Sequence, residues 1–316
     1  MIVTLTPNPS IDRTVSIDRL DVGEVNRATS SRIDPGGKGI NVARALAANG
    51  SDSLAVLPSG GPEGHLLEEL LRTSGTAYQA VPIAGTTRMN IAAIEPGGAT
   101  TKLNEPGPVL DPREHAALLA AVAERIAAGA DWVVGCGSLP PGMPEDVYAD
   151  LVRHAHAAGA QVAIDSSGAP LSAAVPAGPD LIKPNLEELQ ELVGRGLRTL
   201  ADVRDAAAAL VQGGIGTVVV SLGRHGALLV GAEGIAHATA HIERPVSTVG
   251  AGDSLLAGYL HAVTHGAAPR QALATGAAWG AAAVSLPGSR MPTPDDVVGI
   301  AVTSTDTPDL SRLVAD

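Results

Sequence analysis

Short β-branched runs alternate with Ala- and Leu-rich stretches through the middle of the chain, and this rhythm leaves few folds open. Residues 53–57, 132–136, 161–165, 181–183 and 217–222 read as strands. Residues 37–48, 63–73, 113–128, 145–158, 186–193 and 200–212 carry helix formers, with apolar positions spaced for one buried face. Strand and helix in strict turn build βα units, so the fold class is α/β with a mainly parallel sheet. After the fifth strand the order changes. Residues 227–230 and 235–240 read as a short hairpin, followed by two Ala-rich helices at 253–264 and 269–286.

Two stretches break the rhythm. Residues 14–34 and 86–102 alternate apolar and polar side chains between glycines and prolines, and are expected to form a small β appendage. Inserted into the first third of a single domain spanning 1–316, it is placed to fold over a cleft as a lid. The polar tail from about 303 to 316 is expected to be partly disordered.

The 316 residues include no Phe, two Trp and three Tyr, so small aliphatic side chains must fill the interior and let helices approach the sheet closely. A net charge of −12 opposes an extended grip on nucleic acid. Cys136 has no second cysteine to pair with and reads as a small buried residue, which suits a reducing cytoplasm. No secretion signal precedes the first strand, and apolar runs such as 279–286 are far shorter than the ~20 residues that cross a bilayer.

The strongest local signal is Ser247-Thr248-Val249-Gly250-Ala251-Gly252-Asp253-Ser254, a glycine-rich turn opening into an apolar helix. The first turn of a helix leaves amide groups without intrahelical partners and carries partial positive charge, so it can hold a phosphoryl group. Asp253 at its mouth either accepts a proton from an attacking hydroxyl or caps the helix. A second turn, Pro35-Gly36-Gly37-Lys38-Gly39-Ile40-Asn41, puts three glycines into four residues. Such a turn suggests backbone pressed against a ligand, with Lys38 and Asn41 aimed at polar sugar oxygens. Turns at 137–142, 183–188 and 221–226 each follow a strand's carboxyl end, the edge where open α/β sheets bind ligands. Arg88, in the proposed lid, is the cation best suited to pair with a phosphate, and Arg27 is a second candidate. There is no Walker A string, no protein kinase signature and no dinucleotide fingerprint.

Together these motifs resemble the PfkB family of ribokinase-like carbohydrate kinases, from Thr4 to about Gly288. The resemblance implies a three-layer α/β/α sandwich with a β lid, ATP and Mg²⁺ as cofactors, and a sugar substrate. It makes Asp253 the catalytic base and the amides of Gly250, Ala251 and Gly252 the anion hole. It assigns sugar contacts to Asp12, Gly37, Lys38 and Asn41, and the substrate's existing phosphate to Arg88 and Ser138. Lys183, Asn185, Ser221, Gly223 and Gly226 would line the nucleotide. Glu188 would organise Mg²⁺ through water, while Asp165 either orients water or caps a turn. Residues 6–12, 23–27 and 104–108 are similar to the 1-phosphofructokinase branch, which converts fructose 1-phosphate to fructose 1,6-bisphosphate. The tagatose-6-phosphate kinase and minor 6-phosphofructokinase branches are the alternatives. By the same resemblance, a phosphate-binding lysine is expected in the latter near the place taken here by Val25. A sugar-phosphate sensor without turnover is the alternative of another class, and a homodimer through the lid strands is the expected assembly.

Overall fold

The first strand, β1 (Ile2–Leu5), starts almost at once and is buried along its whole length. The chain then leaves the main body through β2 (Ser10–Ser16) and returns on β3 (Ser30–Gly36), which delivers it to helix α1 (Lys38–Ala48). Regular βα alternation follows with β4 (Ser53–Ser59), α2 (Gly61–Thr73) and the edge strand β5 (Tyr78–Pro82). A second excursion makes β6 (Arg88–Ile94) and β7 (Thr100–Asn104). This is a computed structural model, described for residues 1–96 and 99–314; positions 97 and 98 of the expected lid and 315 and 316 of the tail lie outside the described residues.

The alternation resumes with α3 (Pro112–Ala127), β8 (Trp132–Cys136), α4 (Val147–Ala157), β9 (Gln161–Asp165), α5 (Gly168–Ala174) and β10 (Leu181–Ile182). It ends with α6 (Leu186–Val193), α7 (Leu200–Gln212), β11 (Thr217–Ser221) and the hairpin β12 (Ala227–Gly231) and β13 (Gly234–Ala240). Helices α8 (Ala251–Thr264) and α9 (Pro269–Val284), a short α10 (Pro294–Val297) and β14 (Val302–Thr305) complete the chain. Strand β14 corrects the expectation of a disordered tail. It pairs with β13, and the backbone of Arg312 and Val314 bonds to the loop before α7, so backbone groups that sequence leaves unpartnered are satisfied.

The large sheet runs in the order β14, β13, β12, β11, β10, β9, β8, β1, β4, β5, parallel from β11 to β5 and antiparallel beyond. Strand β1 lies between β8 and β4, so successive βα units travel in opposite directions from it and open a crevice at its carboxyl end. Helices α3 to α7 cover one face around Leu118, Val147, Leu171 and Leu200. On the other face α1, α8 and α9 pack around Leu46, Leu256 and Leu273. Helices α8 and α9 approach so closely that a Cβ on Gly276 would lie 2.6 Å from the carbonyl oxygen of Leu255. Glycine and alanine thus replace the bulk that the missing Phe would supply.

The four-stranded second sheet has the order β3, β2, β6, β7. Its first strand starts at Ser10, four residues before the expected boundary, and residues 17–29 form a polar, mostly exposed connection instead of strand. Ile11 of β2 packs with Ile40 of α1, Leu57 of β4 and Leu67 of α2, tying this sheet to the main body. The register places Asp12 beside both Asp34 and Asn90.

Candidate active site

The segment that leaves β1 carries Thr6 and Asn8 and reaches Ser10 at the start of β2, all three buried. Two cavities border the turn before α8. A larger one of about 730 Å³ is lined by Ser221, Gly223, Gly226, Thr248, Ala251 and Gly252, with apolar walls from Leu255, Ala277 and Val284. A smaller one of about 170 Å³ lies under the second sheet, lined by Asp12, Asn90, Val249 and Ser289. The turn into α8 contributes to both, Thr248, Ala251 and Gly252 to the larger and Val249 to the smaller, and Asp253 follows directly in the first turn of α8.

That turn is shaped by Gly250, whose φ of 78° lies in the left-handed region that glycine adopts without steric penalty. No side chain caps the helix at this residue. The Ala251 amide has only a 3.4 Å contact with the Thr248 carbonyl, and Gly252 and Asp253 complete the first turn. Asp253 is only 8 % exposed, and its Oδ2 accepts a 2.8 Å hydrogen bond from Asn41 Nδ2. Burial is the main cause that raises its pKa to about 6, and the Asp165 carboxylate adds to it.

Beneath the turn lies a cluster of charges. Asp165, at the end of β9, is fully buried and accepts from Lys38 Nζ at 2.8 Å and faces Lys183 Nζ at 3.1 Å. Burial alone would raise the Asp165 carboxyl, but the ammonium groups of Lys183 and Lys38 hold it below its usual range. Lys38 also donates to Glu188 Oε1 at 3.2 Å; burial disfavours its charge, but the two carboxylates outweigh burial and raise its pKa. Lys183 is 4 % exposed and sits so near the start of α8 that a Cβ on Gly252 would lie 3.4 Å from its Nζ. The partial positive charge of the helix start is thus reinforced by a buried cation.

The expected site residues also make contacts within the protein. Lys38 and Asn41 were expected to point at sugar oxygens; the two acidic side chains draw Lys38 to Asp165 and Glu188, and Asn41 spends its amide on Asp253. Asp165, read as a water-orienting or turn-capping acid, is the counter-ion of two lysines. Asn185 and Glu188 form a reciprocal capping box at the start of α6, so Glu188 has both oxygens engaged. Arg88 donates to the carbonyls of Glu105 and Asn8, while its Nε is buried without a partner. Ser138 lies 3.4 Å from Asn8 Nδ2, and Asn8 also holds the Pro106 carbonyl, so Arg88, Asn8 and Ser138 gather at one place. Asp12 accepts from Ser10 and Asn90 at 2.7 and 3.1 Å. Gly37, with φ 115°, packs its Cα against Thr6, while Arg27 stays exposed on the connection between β2 and β3. Cys136 is buried, and burial pushes its thiol up, as suits an inert packing residue.

Thr248 and Arg312 line the larger cavity without having been assigned a role from the sequence. Thr248 adjoins the glycine turn and was legible as part of it. Arg312 was not, because only the docking of the C-terminal segment beside α7 brings it there.

A helix start built for an anion, a buried carboxylate with raised proton affinity and two cavities bordering the same turn belong together in a phosphotransferase that acts on a small hydroxylated molecule. Residues 5–296 match the model of the pfkB family carbohydrate kinases. The chain is 38 % identical to 1-phosphofructokinase of Rhodobacter capsulatus, covering 96 % of each protein. It is 37 % identical to ATP-dependent 6-phosphofructokinase isozyme 2 of Escherichia coli, covering 93 % of this chain and 96 % of that one. The crystal structure of Escherichia coli phosphofructokinase-2 in complex with substrates and products superposes with a TM-score of 0.87 at 35 % identity, over 94 % of this chain and 96 % of the other. The chain belongs to the pfkB family of carbohydrate kinases, and its sandwich is the ribokinase-like one expected from the sequence. Among the described residues, no helix is long and apolar enough to cross a membrane.

Proposed function

We propose that this protein transfers the γ-phosphoryl group of ATP to a hydroxyl of a ketohexose monophosphate, fructose 1-phosphate first, giving fructose 1,6-bisphosphate. The observation that carries this reading is the buried Asp253 carboxylate in the first turn of α8, directly after the glycine turn that borders both cavities. ATP takes the larger cavity, its base between the apolar walls of α8 and α9 and its phosphates toward Ser221, Gly223, Gly226 and the start of α8. The sugar takes the smaller cavity, held by Asp12 and the backbone at Gly37. Its existing phosphate meets Arg88 and Ser138, where the buried Arg88 Nε has a donor to give.

Asp253 accepts the proton of the attacking hydroxyl as the oxygen closes on the γ-phosphorus, and the first amides of α8 take up the charge on the transferring group. Lys183 supports them from below. The donor set also fits a divalent ion that keeps most of its waters. No group of three or more Asp, Glu, His or Cys side chains that could hold a metal occurs among the described residues, and Glu188 is the acid at hand for a water-mediated contact. Bound Mg²⁺ supplies neutralisation of the nucleotide's phosphates.

The preference for fructose 1-phosphate rests on the 1-phosphofructokinase relative and on Val25, which is 77 % exposed and offers no cation to a 6-phosphate. Similarity to a 6-phosphofructokinase keeps fructose 6-phosphate and tagatose 6-phosphate as the second reading. The second sheet acts as the lid, with its exposed edge strand β7, including Leu103, pairing with a second copy of the chain. ADP release with Mg-ATP and separate additions of fructose 1-phosphate, fructose 6-phosphate, tagatose 6-phosphate, fructose and ribose tests the proposal. Fastest turnover with fructose 1-phosphate supports it, preference for a 6-phosphate changes the substrate, and turnover on free sugars alone removes Arg88 and Ser138 as a phosphate grip. Silence in every sample from folded, ATP-binding protein leaves the sensor.

A further inference from the structure

We propose that Arg44 is a positioning residue for the base: it fixes which end of the Asn41 amide faces Asp253. The inference deepens the reading above and rests on Asp253 being the proton acceptor. Arg44 lies three residues beyond Asn41 on α1, and its Nη1 donates to Asn41 Oδ1 at 3.2 Å. The same nitrogen donates to the carbonyls of Pro35 at 3.2 Å and Ser289 at 3.1 Å, which anchors it between the first glycine turn and the loop after α9.

A guanidinium only donates, so the end of the amide facing it must be the oxygen. The nitrogen is then obliged to face Asp253, where a carboxylate needs a donor. Rotating the amide by half a turn would set its NH2 against the guanidinium and its carbonyl against the carboxylate, losing both bonds at once. Arg44 therefore controls the hydrogen bond that orients the base, although it is not itself bonded to Asp253 in the structure. The other charges are placed differently. Asp12, Asp34 and Arg32 on the second sheet act on Arg44, while Asp165, Lys38 and Lys183 act on Asp253 from β9, α1 and the end of β10.

The test compares Arg44→Gln, Arg44→Lys, Asn41→Ala and the double variant Asn41→Ala with Arg44→Gln in the full chain. Gln at position 44 can accept or donate and so no longer dictates the amide's orientation. It is expected to lower kcat about tenfold, the scale of one lost hydrogen bond to a charged group, with KM for ATP within about twofold. The acid limb of the kcat–pH profile should move to higher pH, because Asp253 loses the donor that favours its ionised form. Lys keeps a pure donor and should hold the acid limb where wild type has it. In the Asn41→Ala background, Arg44→Gln should change neither kcat nor the acid limb further.

An unchanged kcat and acid limb in Arg44→Gln, or an equal loss on both backgrounds, overturns the proposal. If Arg44→Gln does not fold, Arg44→Lys carries the test alone, and a displaced acid limb in that variant overturns it. Asp253→Asn with wild-type turnover would instead remove the underlying reading, and the two failures are thereby distinct.

Discussion

Asn41 and Asp253, 212 positions apart in the chain, share a 2.8 Å hydrogen bond between side chains that are both almost completely buried. The bond favours the ionised carboxylate, as do Lys38 and Lys183, yet burial and the Asp165 charge prevail and the pKa rises to about 6. A base with that affinity is ionised at neutral pH while holding a proton far better than an ordinary aspartate, a useful compromise for a hydroxyl that must be deprotonated as it attacks.

The first prediction concerns the rate. The kcat/KM for the sugar phosphate should fall toward acid pH along a single limb with an apparent pKa near 6, since the protonated form of Asp253 accepts nothing. Asp253→Asn should lower kcat by roughly 10²- to 10⁴-fold, the usual worth of a general base, and leave ATP binding within about twofold. Steady-state kinetics from pH 5 to 8 with isothermal titration of the nucleotide checks both; wild-type turnover in the variant would take Asp253 out of the role.

The second prediction reverses the sign for stability. A carboxyl whose pKa is raised in the folded state is least costly below the unfolded value near 4, and its penalty grows as pH rises through 6. Asp253→Asn should therefore be more stable than wild type at pH 8, by up to about 3 kcal/mol at about 1.4 kcal/mol per pH unit. The advantage should vanish near pH 4. Thermal melts at the two pH values decide, and a variant less stable at pH 8 would mean that the carboxylate is not held at the expense of the fold.

Much of this arrangement was legible in the sequence, and what was not has a common cause. The glycine turns at 36–39 and 250–252 stood out because a close approach to ligand demands residues without a Cβ, and that demand is local. The parallel strands and their helices followed from the spacing of apolar residues, which is local too. The ion pairs of Lys38 were not legible because they depend on Asp165 and Glu188, which reach it from separate βα units. Strand β5, with its mixed burial and terminal Pro82, carries no period-2 signal, and β14 is defined by the partner it finds in β13. Arg44 and Arg312 carry no local signal of their own, since their partners and surroundings come from the segments at 289 and 312.

The third prediction is drawn from the ion cluster. Asp165→Asn would leave the Lys183 ammonium buried without its carboxylate, a change that costs about 3–5 kcal/mol in comparable buried pairs. Because the Asp165 pKa is lowered by folding, its contribution is present above pH 4 and is lost only as pH falls below that. Urea denaturation at pH 7.5 should show the loss, with partial recovery when Lys183→Met is added. A variant as stable as wild type would show that Lys183 finds another partner or loses its proton.

The fourth prediction isolates the sugar side. Asp12 is held by Ser10 and Asn90, and its carboxylate occupies the space in front of Gly36, where an added Cβ would come within 2.4 Å of it. Gly36 has no left-handed backbone to protect, so Gly36→Ala acts by displacing that one side chain. The KM for the sugar phosphate should rise about tenfold, equivalent to one lost polar contact of about 1.4 kcal/mol, while the KM for ATP stays put. The decisive comparison is in the Asp12→Ala background, where the methyl group meets no carboxylate and Gly36→Ala should add little. A full additional loss there would mean that the glycine serves the path of the chain into α1 instead of the seat of Asp12.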